Sequence, residues 1–236
     1  LSGHTSGVIR AIELTNGSLL SWSWDGNLRL WAGDGNLLAT LSGHTSYVSG
    51  AIELTNGRLL SWSNDRTLRL WDGDGNPLAT LLGHRSEVSG AIELTNGSLL
   101  SLGRDGMLQL WDNDGNPLTT LSGHTDGVVG AIQLTNGKIL SWSWDATLRL
   151  WDNPKTPILI ISTDINYMTK VIQLANGRLL SWSDDTTPRL WDDDGNLLAT
   201  LSGHTGGVGG VRELADGRLL SWSDDITLRL WDGDGN

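Results

Sequence analysis

The 236-residue sequence contains no cysteine and no phenylalanine, and only five prolines, two methionines and two tyrosines. Without cysteine there can be no disulfide framework, no thiolate metal site and no sulfur nucleophile. Basic residues are scarce too: 16 Lys and Arg stand against 27 Asp and Glu, a net charge of −11. A surface that tracks phosphates needs the opposite sign, so neither nucleic acid nor an anionic membrane is an expected partner. No apolar run approaches the ~18 residues of a spanning helix, and residues 1–30 lack a signal-peptide pattern. The cytoplasm is therefore the expected compartment. What the chain does have is glycine, 31 residues, and tryptophan, 13. Its 38 % apolar content, with the glycines added, is that of a globular protein, which excludes disorder.

The sequence repeats itself. LSGHTSYVSGAIELTNGRLLSWSNDRTLRLWDGDGNPLAT, residues 41–80, recurs with small changes over 1–40, 81–120, 121–160, 161–200 and 201–236. The period is 40 without insertion or deletion, and the repeats cover 1–236 as one expected domain. Within a repeat the hydrophobic period is two. Val48, Gly50, Ile52 and Leu54 alternate with Ser49, Ala51 and Glu53, which reads as a strand. Asn56-Gly57 predicts a hairpin with positive φ at both central residues. RLLSWS (58–63) reads as a second strand, TLRLWD (67–72) as a third and residues 77–81 as a fourth. Four short antiparallel strands leave no room for a helix. A single meander cannot cover both its faces, so neighbouring copies must stack on it. The fold class is thus all-β, a β-propeller of four-stranded antiparallel blades.

Gly43-His44, then Asp65, then Trp71-Asp72 resembles the GH…D…WD pattern of the WD-repeat propeller family, and every repeat but the fifth keeps the Gly-His. The resemblance implies a hydrogen-bonded chain in each blade, from a third-strand Trp through a second-strand Ser and a loop His to a turn Asp. By position the members are His4, Ser21, Asp25 and Trp31; His44, Ser61, Asp65 and Trp71; and His84, Ser101, Asp105 and Trp111. The fourth and sixth repeats supply His124, Ser141, Asp145 and Trp151, and His204, Ser221, Asp225 and Trp231. Ser, His and Asp together invite a hydrolase reading. Catalysis, however, needs one exposed, activated hydroxyl beside an oxyanion hole, not a buried copy in every blade. No enzyme activity, cofactor or metal is therefore expected, because the histidines stand 40 residues apart with no second ligand at i+2 to i+4. Asp72-Gly-Asp74-Gly-Asn76 begins like a calcium loop but has Pro77 at its sixth position and Gly83 at its twelfth, so it reads as an acidic turn. The sequons at Asn16 and Asn96 occupy the hairpin slot and read as turns.

Positions that change from copy to copy are where a specific surface can be written. The slot three after the His reads Gly7, Tyr47, Glu87, Gly127, Tyr167 and Gly207. The slot before the turn Asp reads Trp24, Asn64, Arg104, Trp144, Asp184 and Asp224. Both fall at one end of an antiparallel meander, the end on which, by the resemblance, WD-repeat proteins bind partners. A second set of indoles (Trp22, Trp62, Trp142, Trp182, Trp222, with Leu102 in the third repeat) is expected to pack between blades. In the fifth repeat Thr163-Asp164 replaces Gly-His, which predicts loss of the hydrogen-bonded chain; Pro188 falls in its third strand, where a ladder tolerates proline poorly. Arg212 replaces an Ile and needs a partner or exposure. The sixth repeat has no complete fourth strand, which predicts an open edge and a route to self-association. The expected function is a non-catalytic scaffold that binds a protein or peptide. The alternatives are a carbohydrate-binding propeller, or an engineered or fragment propeller with no ligand.

Overall fold

A computed structural model describes the chain except for residues 153–158, 163–167 and 184; the side chains of 159–162, 168 and 169 also lie outside the description. Every element among the described residues is a strand, and the strands form six antiparallel sheets, one per repeat. In the second repeat they are Val48–Glu53, Leu59–Ser63, Thr67–Trp71 and Pro77–Leu82, paired in chain order. The first, third, fourth and fifth sheets have the same order of four; the sixth has three, Val208–Glu213, Leu219–Ser223 and Leu228–Trp231. This is a propeller-type fold built of antiparallel blades. By compactness the chain divides into two units, Leu1–Val128 and Val129–Asn236.

Alternation sets the packing. Leu68 and Leu70 point to one face of the second sheet and Trp71 to the other, yet all three are buried, because a sheet in the stack is covered on both faces. In the first unit Leu20, Trp22, Leu28 and Leu30 of the first sheet pack on Val48, Ala51, Leu59 and Trp71 of the second. Leu60, Leu68 and Leu70 of the second sheet meet Val88, Ala91, Leu99 and Trp111 of the third in the same way. The second unit repeats the arrangement from fourth to fifth sheet and from fifth to sixth.

A polar clamp reinforces these contacts. Glu53 lies at the end of its strand and accepts hydrogen bonds from Thr15, on the preceding sheet's hairpin, through the backbone N–H (2.8 Å) and the hydroxyl (2.7 Å). Glu93 holds Thr55 identically, Gln173 takes the Thr135 N–H at 3.0 Å, and Glu213 takes that of Ala175 at 2.8 Å. Arg58 reaches Asp114, and Arg178 reaches Asp234, on the next sheet.

The hairpin differs from its sequence reading in one respect. Gly57 alone has positive φ (+79°), Gly57 N–H donates to Leu54, and Leu54 N–H donates to Arg58. Those bonds describe a three-residue loop closed by a left-handed glycine rather than a two-residue turn with both central residues left-handed. The third strand of the fifth sheet runs over only Arg189–Trp191, beginning just after Pro188, whose carbonyl still accepts from Leu201 N–H at 2.9 Å. In the second sheet this slot is Leu68, paired with Leu81, so the missing N–H of Pro188 removes the reciprocal bond to Leu201 and the strand begins one residue later. Trp22, Trp142, Trp182 and Leu102 are buried and Trp62 packs at the edge of a core, but Trp222 of the sixth sheet is exposed. Arg212 is exposed as well.

Candidate functional site

The hydrogen-bonded chain is present in the second repeat with donor and acceptor at each step. Trp71 Nε1–H donates to Ser61 Oγ (2.9 Å), the Ser61 hydroxyl lies 2.9 Å from His44 Nε2, and His44 Nδ1 lies 2.9 Å from Asp65 Oδ2. A carboxylate only accepts, so Nδ1 carries the imidazole proton and Nε2 is left to accept from the serine. Distances of 2.7–3.2 Å recur in the first, third and sixth repeats. In the fourth, Trp151 donates to Ser141 at 2.9 Å and His124 is buried. In the fifth, Trp191 donates to Ser181 at 2.9 Å, while Asp185 takes the guanidinium of Arg189 at 2.8 Å. Asp164, the residue in the fifth repeat's histidine slot, lies outside the described residues.

The backbone is shaped around this chain. Asp65 also accepts from the N–H groups of Thr45 and Thr67, fastening the turn to the loop. Gly43 precedes the histidine at φ +153°, and a Cβ there would collide with the Arg69 guanidinium. That accounts for the Gly of the Gly-His pair on two grounds, the backbone conformation and the close approach.

Burial fixes the protonation states. It pushes the His44 imidazole below its ordinary value, against the pull of Asp65, so the ring is neutral. Burial raises the Asp25 carboxyl, but the N–H groups of Thr5 and Asn27, with His4, more than reverse this and hold it at about 2. Asp65, Asp105 and Asp225 are lowered by their corresponding partners. The arrangement has the composition of a catalytic triad and the opposite chemistry. Ser61 is fully buried and its oxygen is held by the indole N–H, so no substrate atom reaches it.

The copy-variable slots lie together at one end of the first, second, third and sixth sheets. Trp24 N–H donates to Gly7 O (3.0 Å), Asn64 N–H to Tyr47 O (3.3 Å), Arg104 N–H to Glu87 O (2.9 Å) and Asp224 N–H to Gly207 O (2.9 Å). The two slots are therefore one paired position, and their side chains are matched. Where the loop has Gly7, the Trp24 ring lies over it, 3.1 Å from where a Cβ would be. Asn64 Nδ2 donates to the Tyr47 hydroxyl and Asn64 Oδ1 accepts from Ser49. Arg104 pairs with Glu87 at 3.0 Å. Trp24, Tyr47, Arg104, Trp144 and Asp224 are exposed, and Asn64 and Glu87 are half-buried. In the first unit the turn after Trp24 lies against the backbone of the His44–Ser46 loop: a Cβ on Gly26 would sit 3.1 Å from Ser46 O. Trp24 and Tyr47 thus belong to neighbouring sheets at one end. Tyr167 and Asp184 lie outside the described residues.

The acidic turn satisfies itself. Asp72 Oδ1 accepts from the N–H groups of Asp74 (3.0 Å) and Asn76 (2.8 Å), and Asn76 Nδ2 donates to Oδ2 at 2.9 Å. The sequon residue Asn16 likewise accepts from Ser18 N–H at 2.9 Å within its turn.

The family model for the WD domain, G-beta repeat, matches residues 35–72, 75–112, 115–152 and 195–232. Among solved structures, the computationally designed Ika8 protein is similar with a TM-score of 0.80 and 25 % identity, over 100 % of this chain and 74 % of that one. The WD40 β-propeller domain of Doa1 is similar with a TM-score of 0.72 and 25 % identity, over 100 % of this chain and 82 % of that one. No curated protein matches the chain.

Proposed function

The chain belongs to the WD domain, G-beta repeat (WD40) family, and from that premise we propose that residues 1–236 act as one non-catalytic propeller domain that binds a protein or peptide at the copy-variable end of its sheets. WD40 propellers are generally protein-interaction scaffolds. The observation that carries the proposal for this chain is Trp24, an indole 64 % exposed at a paired position where other copies place Tyr47 with Asn64 or Glu87 with Arg104. An exposed indole gains much on being covered, and aromatic and arginine side chains are what interface hot spots are made of. The buried serines support a scaffold over a hydrolase, since each is committed to an indole and Ser21, Ser61, Ser101 and Ser221 to a histidine as well.

The test is selection of a displayed peptide library on the immobilised chain, followed by affinity measurement against Trp24→Ala and Tyr47→Ala. These positions are exposed, so both variants should keep the wild-type melting temperature while losing at least about tenfold in affinity, the scale of a hot-spot residue. Unchanged affinity in both would overturn the reading. Saturable glycan binding that quenches Trp24, with no peptide selected, would favour the carbohydrate reading.

A further inference from the structure

The first strands of the first and second sheets, Val8–Glu13 and Val48–Glu53, flank a crevice of about 660 Å3 that lies wholly within the first unit. Its walls are Ile12 and Trp22 from one sheet and Ala51, Ile52 and Trp62 from the other. Those walls are apolar, and the volume is that of a site for a small organic molecule. The polar side chains at its edge are engaged elsewhere. Both oxygens of Glu53 are taken by Thr15, and Ser49 donates to Asn64. Glu13 falls on the opposite face of its strand from Arg10 and Ile12.

Arg10 is the exception. The other copies have Gly50, Gly90, Gly130 and Gly210 in this slot, and Lys170 in the fifth. A second-strand indole stands opposite it: Gly50 pairs with Trp62, Gly210 with Trp222 and Arg10 with Trp22. Where the slot is glycine the ring lies over it, since a Cβ on Gly50, Gly130 or Gly210 would overlap the indole. Arg10 brings a Cβ, so Trp22 cannot lie that way; its ring packs into the core between the two sheets. There its Nε1–H is buried without an acceptor. Trp142 shares the unpaired N–H, but Gly130 sets no charge beside it. Arg10 itself is exposed and has no ion pair or hydrogen bond among the described residues. An unpaired guanidinium above an apolar and aromatic floor is complementary to a carboxylate, which it takes through two parallel N–H groups.

We propose that this crevice binds a small carboxylic acid with an apolar body, the carboxylate on Arg10 and the body between Ile12 and Ala51 against the rings of Trp22 and Trp62. None of these residues belongs to the copy-variable slots, so the site does not rest on the peptide reading.

The experiment is titration of the nitrogen-15-labelled chain with phenylbutyrate, with N-acetylphenylalanine and with the uncharged phenylbutyramide, following the indole N–H signals. Both acids should shift the Trp22 and Trp62 signals saturably and leave Trp24 in place, and the amide should bind at least about tenfold more weakly. Tighter binding of N-acetylphenylalanine would assign the terminal carboxylate of a peptide, and tighter binding of phenylbutyrate a free acid; either supports the site. Arg10 is exposed, so Arg10→Gln should keep the circular dichroism spectrum and lose at least about tenfold in affinity for the acids. Arg10→Lys should fall between the two, and Lys170→Gln should bind as the wild type does. No saturable shift at Trp22 and Trp62 up to about 10 mM acid would overturn the proposal. Equal affinity for acid and amide, or an Arg10→Gln variant that binds like the wild type, would overturn it as well. Acids that shift Trp24 instead would overturn it by moving the contact to the copy-variable end.

Discussion

Replacing Ser61 with Ala removes one oxygen and breaks two contacts at once. Ser61 Oγ accepts from Trp71 Nε1–H and supplies the proton that His44 Nε2 accepts, each at 2.9 Å. The alanine fits without strain, but an indole N–H and an imidazole nitrogen then remain buried and without their partner. An orphaned buried polar group costs about 1–3 kcal/mol, so the pair should cost roughly 2–5 kcal/mol. For a domain of this size each kcal/mol moves the melting temperature by about 2–4 °C, which gives a drop of roughly 5–15 °C. Differential scanning calorimetry on Ser61→Ala, with the exposed Ser42→Ala as control, measures it. A Ser61→Ala midpoint within about 1 °C of the control would refute the reasoning, because two buried groups would then have lost their partner without consequence.

Ile226 is a β-branched residue held at φ 62° and is 98 % exposed, in a slot where other repeats place Gly26 and Gly106. Ile226→Gly should relieve that conformation with no packing lost and raise stability by about 1 kcal/mol; a lowered denaturation midpoint would contradict this. Glu53→Ala removes the acceptor for two donors of Thr15 and should lower stability by about 1 kcal/mol, more than the same change at the exposed Glu13, as urea titration would show. His44 has a lowered folded pKa, so the unfolded chain binds its proton first. Its contribution is complete above pH 6.5 and declines as pH falls below that value. Asp25, held at about 2, contributes above its ordinary 3.8 and loses that contribution as pH falls from there through about 2. Thermal midpoints from pH 8 to pH 2.5 should therefore fall in two stages. A midpoint that rises between pH 7 and 5.5, or a His44→Asn variant with an unchanged upper stage, would contradict the assignment.

The strands were legible because their signals are local. Alternation from Val48 to Leu54 and the Asn56-Gly57 hairpin place the first two strands of a sheet to within a residue, and the 40-residue period then copies them along the chain. The members of the hydrogen-bonded chain were legible only by resemblance, since nothing in the spacing of His44, Ser61 and Asp65 says that they meet. The sequence reading missed the polar contacts between sheets. Thr15 and Glu53 lie 38 residues apart and are ordinary surface types, so neither announces a partner. The signal that could have found them is the recurrence of Glu or Gln at one slot (Glu53, Glu93, Gln133, Gln173, Glu213) two residues before a hairpin that needs an acceptor. The copy-variable slots were visible as variation. Their pairing was not, because a match of Gly7 with Trp24 or Glu87 with Arg104 acquires meaning only once the backbone bonds between the two slots are known. Trp222 shows the remaining limit: its sequence environment equals that of Trp182, yet one is exposed and the other buried.

Six third-strand indoles (Trp31, Trp71, Trp111, Trp151, Trp191 and Trp231) donate to buried serines, whereas Trp24 stands in solvent. Hydrogen exchange of the indole N–H signals, followed by nitrogen-15 NMR after transfer to D2O, reads that difference directly. The account predicts six indole signals that outlast the Trp24 signal by orders of magnitude, with Trp71 falling to the fast class in Ser61→Ala. Six signals lost as quickly as that of Trp24 would mean that no serine holds them.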